Sequence, residues 1–226
     1  MIKIYEELEQ GSEAWHEIRC GLLTASEMKL VITPTLKVAD NEKTKTHLYE
    51  LAAQRVTGYT EPHYIGDEML RGKEDEIFAR AAYEEHYAPV TEVGFITNDK
   101  WGFTLGYSPD GLIGDDGKIE IKSRRQKYQL QTIVENEMPS DYMLQVQTGL
   151  LISEREWCDF ITYSAGMPML TLRVYPDKAV QDAIVTAATV FHGKLDAMVQ
   201  AYKDRLADTN NRLIPTERRI EMEITL

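Results

Sequence analysis

The feature that most constrains the fold is one stretch near the middle of the chain, residues 106–122. Its first part ends an extended segment, 101–107, at a proline-aspartate turn. Its second part, 118–122, alternates polar and apolar residues as a strand does. The two parts are predicted to form a β-hairpin.

The hairpin would bring three charged side chains together. Asp110 is expected at the end of the first strand, while Glu120 and Lys122 lie two apart on the second and project from the same face. Ile119 and Ile121 point the other way, into the core. Two carboxylates and a lysine are therefore expected at one spot beside the turn.

That grouping suits a hard divalent cation, because Mg²⁺ prefers oxygen ligands and is usually held by one or two carboxylates plus substrate phosphates. The lysine adds a positive charge where a phosphodiester would build up negative charge during attack. An alternative is a solvated strand, since Lys and Glu often alternate on surfaces and Asp-Gly is an ordinary turn signal. The Glu-x-Lys motif alone favours the solvated strand, and only its sequence context reverses that preference.

Four blocks of sequence in fixed order carry a family resemblance: residues 15–27, 71–76, 108–111 and 142–147. Together with the Asp…Glu-x-Lys signature, they resemble the phage lambda exonuclease group of YqaJ-like viral recombinases, in the PD-(D/E)xK nuclease superfamily. The match extends over roughly residues 11 to 160. It implies an α/β fold with a restriction endonuclease-like core, in which helices flank a central mixed β-sheet.

The resemblance also implies the roles of the acidic residues. Asp110 would bridge two Mg²⁺ ions, with Mn²⁺ as a substitute, and Glu120 with the backbone carbonyl of Ile121 would complete one of the metal sites. Glu76 would reach toward the metals and the attacking water. The Gly-Lys-x-x-Glu register favours Glu76 over Glu74.

Two further side chains complete the implied catalytic set. Lys122 would contact the nucleophile or the scissile phosphate, and Gln145 would orient groups around the metals. Gln147 is a near neighbour that could be confused with Gln145.

The resemblance assigns DNA contacts as well. Arg19, Ser26 and Ser108 match residues that hold the terminal 5′-phosphate, and Met69 belongs to a segment that includes an apolar wedge against the duplex end. Thr24 to Glu27 also has a plainer interpretation, as a capping box at a helix start. The densest basic patch follows the hairpin, and its expected phosphate contacts are Arg124, Arg125 and Lys127.

The charge balance runs against a DNA ligand, because 25 basic and 37 acidic residues give a net charge of −12. A metal site concentrates carboxylates, and a protein that encloses DNA needs positive charge only on its lining. We therefore predict that basic residues cluster on one surface.

The 226 residues are expected to form one domain, with the tail at about 208–226 at a subunit interface. Two cysteines argue against a disulfide framework. No apolar run approaches membrane-spanning length and the N-terminus lacks a signal peptide, which predicts a cytoplasmic protein.

The remaining patterns predict further elements. Helices are expected over 12–19, 24–32, 46–56, 72–87, 141–152 and 177–206. Strands are expected over 91–97, 102–107, 156–163, 169–174 and 220–226. A loop is expected over 33–45, and Ile77, Ala81 and Ala82 are expected to face inward from their helix.

The function predicted from the resemblance is Mg²⁺-dependent 5′→3′ digestion of one strand of linear duplex DNA to 5′-mononucleotides. The enzyme would form a trimeric ring and leave 3′ tails for a single-strand-annealing partner in phage-type recombination within a bacterial host. Two alternatives stay open. One is an endonuclease on the same fold, and the other is a non-catalytic DNA clamp or ion-binding module.

Overall fold

A computed structural model describes residues 1–62 and 66–218. In this part of the chain the α-helices are α1 (Glu13–Arg19), α2 (Glu42–Thr57), α3 (Asp67–His86), α4 (Gln126–Glu135), α5 (Met143–Ser153) and α6 (Lys178–Ala207). Short 3₁₀ helices span Ala25–Leu30 and Ser140–Tyr142. The strands are β1 (Ile2–Tyr5), β2 (Leu23–Thr24), β3 (Phe95–Asn98), β4 (Leu105–Tyr107), β5 (Gly111–Ile113), β6 (Gly117–Ser123), β7 (Trp157–Tyr163) and β8 (Leu170–Val174).

The strands form two four-stranded sheets. In the first, the order is β1-β3-β4-β2, and only the β2–β4 pair is parallel. In the second, the order is β5-β6-β7-β8, and only the central β6–β7 pair is parallel. The predicted class, mixed sheets flanked by helices, is confirmed, with the strands divided between two sheets.

Helix α5 lies at the centre of the main core. Its 11 residues include eight that are buried, which is why the segment is apolar on most sides instead of along one stripe. It packs against β3, β4, the first 3₁₀ helix and α6. From α6, Ile184, Ala187 and Leu195 face this core. Val190 of the same helix is 40% exposed.

A second, smaller core lies on the opposite face of β6 from Glu120. Ile119 and Ile121 point into it, as the alternation predicts, and contact Ala79 and Tyr83 of α3. Strand β6 therefore separates a dry apolar layer from the face that carries the charged residues.

The inward face predicted for α3 is wrong. Ile77 is 65% exposed, whereas the buried positions are Asp75, Ala79 and Tyr83, spaced four apart. The prediction failed because it placed apolar residues on the inward face, whereas the first inward position is held by the polar Asp75. Asp75 accepts a 2.5 Å hydrogen bond from Ser123.

The starts of two predicted helices also differ. Helix α2 begins at Glu42 inside the expected loop, because Asn41 caps it by accepting from two backbone N–H groups. Helix α3 begins at Asp67, before the expected start at residue 72.

The hairpin around the charged residues is formed by β5 and β6. Strand β4, its expected first arm, pairs in the other sheet, because Pro109 and Asp110 interrupt the chain between β4 and β5. The strand predicted at 220–226 lies outside the described residues. None of the helices within 1–62 and 66–218 is both long and apolar enough to cross a bilayer.

Candidate active site

Strand β6 places Glu120 and Lys122 on one face, and Lys122 Nζ donates to Glu120 Oε1 at 2.7 Å. Glu120 is buried, whereas Lys122 is partly open to solvent. Burial by itself would raise the pKa of Glu120, but Lys122 and Lys118 outweigh it and hold that pKa below its usual value. The carboxylate is therefore kept ionised inside the protein.

Asp110 follows β4 and directly precedes β5, so the turn brings its carboxylate to the flank of β6. Its Oδ2 accepts a 2.5 Å hydrogen bond from the backbone N–H of Ile121. Burial, and then repulsion from Glu120, raises the pKa of Asp110 to about 8. A divalent cation would relieve the repulsion between the Asp110 and Glu120 carboxylates and use their oxygens.

The backbone carbonyl of Ile121 faces the same edge of β6 as Asp110. Strand β5 pairs with β6 only as far as Ile119, so beyond that residue this edge of β6 is not paired with β5. The N–H and C=O of one strand residue point to the same side, and the N–H of Ile121 already points to Asp110. The Ile121 carbonyl, predicted as a third oxygen ligand, thus lies on the same side of β6 as Asp110.

Across residues 1–62 and 66–218, no group of three or more His, Cys, Asp and Glu side chains is arranged to hold a metal ion by itself. Two carboxylates and a carbonyl nevertheless fit Mg²⁺, which keeps water and substrate phosphate in its other positions. The donors do not fit a structural zinc site, which takes four protein ligands, mostly Cys and His.

Gln145 contacts Glu120 and Gln147 does not. Gln145, near the start of α5, donates from Nε2 to Glu120 Oε1 at 2.6 Å. Gln147 donates to the carbonyl of Tyr175 at 2.9 Å and accepts from the N–H of Asp177 at 2.8 Å. Gln147 therefore fixes the connection from β8 to α6.

Glu76 lies at the site but is held by an arginine of its own helix. Arg80 donates to Glu76 at 2.6 Å and also pairs with Glu92. Burial raises the pKa of Glu76, against the effect of Arg80, and Glu120 raises it further. Glu74, the alternative in register, is exposed. Of the two, Glu76 is the one whose charge interacts with Glu120.

Tyr107 and Lys118 also contact Glu120, and sequence reasoning missed both. The Tyr107 hydroxyl donates to Glu120 Oε2 at 2.8 Å, and Lys118 Nζ donates to that hydroxyl at 2.8 Å. Strand alternation could have predicted the position of Lys118, because it lies two residues before Glu120 and therefore on the same face of the strand. Tyr107 gave no signal beyond that of an apolar strand residue.

Arg19 and Ser108 are brought together, and Ser26 lies in the 3₁₀ helix that directly follows the adjacent strand β2. Arg19 Nη1 donates to Ser108 Oγ at 3.2 Å, and its guanidinium stacks 4.1 Å from the ring of Trp15. Trp15 donates to the same oxygen at 3.1 Å. Thr24 pairs with Gly106 in the parallel β2–β4 ladder, so Ser26 and Ser108 each come two residues after a paired position.

The basic segment after β6 borders an open cavity of about 740 Å³. Three arginines, Arg71, Arg124 and Arg125, line it together with two acidic residues of α3, Glu74 and Asp75. The exposed Phe78 of α3 also lines it, and neither Arg71 nor Phe78 was predicted. Arg125 also pairs with Glu68. Of the other predicted contacts, Lys127 is exposed and Met69 is 54% exposed in the first turn of α3.

The fold and the site together define a protein of the PD-(D/E)xK class, in which an aspartate, a glutamate and a lysine meet on a mixed sheet. Residues 14–156 match the YqaJ-like viral recombinase domain. The matched segment is more than half of the chain. The chain belongs to this family.

Solved structures agree with that assignment. A crystal structure of an alkaline exonuclease from Laribacter hongkongensis is 33% identical, covers 87% of this chain and 98% of its own, and superposes with a TM-score of 0.78. The same enzyme in complex with dAMP matches equally. A phage-related exonuclease from Haemophilus somnus 129PT, 11% identical over 80% of this chain and 96% of its own, shares the fold at a TM-score of 0.58. A search of curated protein sequences gave no significant match.

Proposed function

We propose that the protein is a metal-dependent exonuclease that digests one strand of linear duplex DNA in the 5′→3′ direction. It releases 5′-mononucleotides and leaves 3′ single-stranded tails. The observation that carries the proposal is the meeting of Asp110, Glu120 and Lys122 beside the end of β4, the strand end that also holds Ser108 against Arg19. The similarity to a solved alkaline exonuclease supports the same class of reaction.

Asp110, Glu120 and the carbonyl of Ile121 would hold Mg²⁺, two ions per site with Mn²⁺ as a substitute, and Glu76 would lie beside them. When bound, these ions lower the pKa of a coordinated water and stabilise the departing oxygen. For Glu76 to contribute, its carboxylate must exchange some of its contact with Arg80 for that water.

Lys122 keeps its proton in this setting. Burial works against its positive charge, but Glu120 and Asp110 outweigh it and raise the pKa of the ammonium. From its position 2.7 Å from Glu120, the lysine donates to the nucleophile or to the scissile phosphate. Gln145 holds the same carboxylate oxygen and limits its rotation.

The pocket of Arg19, Ser26 and Ser108 binds the terminal 5′-phosphate. A guanidinium and hydroxyls suit a phosphate dianion, and the stack on Trp15 fixes the guanidinium before the DNA arrives. A bound 5′-phosphate determines which phosphodiester reaches the metals, and that choice gives the direction of digestion.

The duplex approaches over the basic cavity. Arg71, Arg124 and Arg125 contact backbone phosphates, Lys127 adds a further contact, and Met69 packs against the end of the duplex. This arrangement would concentrate positive charge on one surface of an acidic protein.

The family suggests the setting in which the enzyme works. We propose that subunits close into a trimeric ring around DNA, and that a single-strand-annealing protein loads onto the 3′ tail. A phage-type recombination enzyme of this kind acts in the cytoplasm of a bacterial host.

The deciding experiment is digestion of a linear duplex that carries a 5′-phosphate on one end only, with and without Mg²⁺. The proposal predicts Mg²⁺-dependent release of mononucleotides from the phosphorylated strand, and no cutting of covalently closed circles. Cleavage of the circles would indicate an endonuclease, and binding without hydrolysis would indicate a clamp or ion-binding module.

A further inference from the structure

A chain of buried hydrogen bonds ends at the second oxygen of Glu120. Lys118 is 0% exposed and Tyr107 is 1% exposed. Lys118 Nζ donates to the Tyr107 hydroxyl at 2.8 Å, and the hydroxyl donates to Glu120 Oε2 at 2.8 Å. Because an ammonium has only donors, the single tyrosine proton points to the carboxylate. Lys118 therefore fixes the direction of the hydrogen bond that Glu120 receives.

Helix α5 leaves room for this chain and holds the other oxygen. A Cβ at Gly149 would lie 2.9 Å from Lys118 Nζ and 2.9 Å from Tyr107 Cζ, so only glycine fits there without a shift. One turn earlier on the same helix face, Gln145 donates to Glu120 Oε1 at 2.6 Å. Both oxygens of Glu120 are thus oriented by groups that come from outside β6, namely β4 and α5.

Stability alone accounts poorly for Lys118. A charge at this depth costs desolvation energy, and that cost is repaid only by close ion pairing. The nearest Glu120 oxygen is 3.7 Å from Lys118 Nζ, beyond the tyrosine hydroxyl that the lysine contacts directly. A methionine would fill the same space without a charge. The lysine is better explained by what it does to Tyr107 and, through it, to Glu120.

We infer that Tyr107 and Lys118 are positioning residues that orient the Glu120 carboxylate for a divalent cation. The inference rests on the proposed nuclease function. Groups that orient a metal-binding carboxylate typically change metal affinity or activity by about 10- to 100-fold when they are removed. Tyr107→Phe removes the hydroxyl and keeps the ring, so it changes the orientation of Glu120 with little change in packing.

The test is a calorimetric titration of Mn²⁺ into the full-length protein without DNA. Tyr107→Phe is expected to weaken Mn²⁺ binding by about tenfold. The matched control is Tyr83→Phe, because Tyr83 of α3 is equally buried at 1% exposure and donates to the buried Asp159 of β7 at 2.6 Å, on the face of the sheet opposite Glu120. The Tyr83→Phe variant loses a hydrogen bond from a tyrosine hydroxyl to a carboxylate, as Tyr107→Phe does, but away from Glu120. Its Mn²⁺ affinity should therefore equal that of the wild type.

Wild-type affinity in Tyr107→Phe overturns the inference, as does an equal loss in Tyr83→Phe or the absence of Mn²⁺ binding to the wild type. Lys118→Met should weaken Mn²⁺ binding in the same direction, and if it does not fold, Tyr107→Phe still decides. A wild type that binds Mn²⁺ but digests no DNA would refute the nuclease function alone, because the comparison of Mn²⁺ affinities does not use DNA.

Discussion

Lys122 Nζ lies 2.7 Å from Glu120 Oε1, and the two residues are separated by one residue on β6. The pair keeps a buried carboxylate and a partly exposed ammonium charged together, next to the partly buried Asp110. An ammonium in that position can contact a phosphate without being neutralised, and a carboxylate in that position can bind a cation. The first prediction concerns this lysine.

Lys122→Ala should slow DNA digestion by about 10²- to 10⁴-fold and leave the affinity for DNA nearly unchanged. The fold should survive, because Glu120 keeps its hydrogen bonds from Gln145 and Tyr107. Single-turnover rates and equilibrium binding would separate the two effects. Lys178→Ala, an exposed lysine paired with Asp182 on α6, is the control and should match the wild type. Near-normal turnover in Lys122→Ala would remove the lysine from the mechanism.

Glu76→Gln should lower turnover by about 10- to 100-fold, whereas Glu74→Gln should leave it within a factor of about two. Glu76 is partly buried and interacts with Glu120, but Glu74 is exposed on the same helix. The two variants carry the same chemical change two residues apart. Measured rates at saturating Mg²⁺ would decide, and equal effects in both variants would contradict the register that assigns the role to Glu76.

Arg19→Ala should slow digestion of 5′-phosphorylated ends more than digestion of 5′-hydroxyl ends. The guanidinium is partly buried, and burial lowers its pKa, but it remains charged and directed at Ser108. Arg19→Lys should restore little, because an ammonium cannot make the bidentate, stacked contact. Initial rates on duplexes that differ only in the 5′ end provide the measurement, and each duplex controls for the other. An equal loss on both ends would assign the pocket a different role.

Contacts between residues close in sequence could be predicted, whereas contacts that depend on the packing of distant elements could not. The contact between Glu120 and Lys122 follows from strand alternation, and the Thr24 capping box follows from the three-residue spacing of Thr24 and Glu27. The hydrogen bond from Tyr107 and the choice between Gln145 and Gln147 depend on how β4 and α5 pack against β6. Local periodicity carries no information on such packing.

The same reasoning explains the error in α3. An inward stripe of apolar residues is a sound expectation for a helix that covers a sheet. Here the inward row begins with Asp75, whose carboxylate is satisfied by Ser123 at the end of β6. Only the tertiary position of Ser123 reveals that a polar residue can be buried there.

His192 should make the protein less stable in acid. Its ring is buried and stacks on Phe103 at 4.3 Å, with Arg55 at 3.2 Å from Nδ1 and Asp196 paired to that arginine. Burial and then Arg55 lower the pKa of His192 from 6.5 to about 4. The unfolded chain therefore binds a proton between these values that the folded protein does not. The contribution of the neutral, buried His192 to the free energy of unfolding is therefore fully present above pH 6.5 and is lost as the pH falls toward 4.

The size of this effect is up to roughly 3 kcal/mol. Urea denaturation of the wild type and His192→Gln at pH 8, 6 and 4.5 would measure it. The variant should be less stable at pH 8, because it loses the stacked ring, and should lose less further stability on acidification. Parallel pH profiles for the two proteins would contradict the assignment.

The basic cavity should determine how strongly DNA binding depends on salt. Arg71 and Arg124 line it and carry no ion pair shorter than 3.9 Å with a described acidic side chain. Each phosphate contact that is lost should reduce the slope of log affinity against log salt by about 1, and should weaken binding equally for all sequences. Arg71→Ala and Arg124→Ala should therefore lower the slope singly and additively, while turnover at saturating DNA stays close to the wild-type value.

The control for these variants is Arg155→Ala, an arginine that donates to the carbonyl of Gly114 at the opposite end of β6. Its removal should leave the salt slope unchanged. Binding would be measured with catalysis blocked by leaving out the metal, at four or more salt concentrations. If Arg155→Ala lowers the slope as much as Arg124→Ala does, the positive charges act through the overall field of the protein instead of a defined DNA path. The cavity would then have no special part in binding.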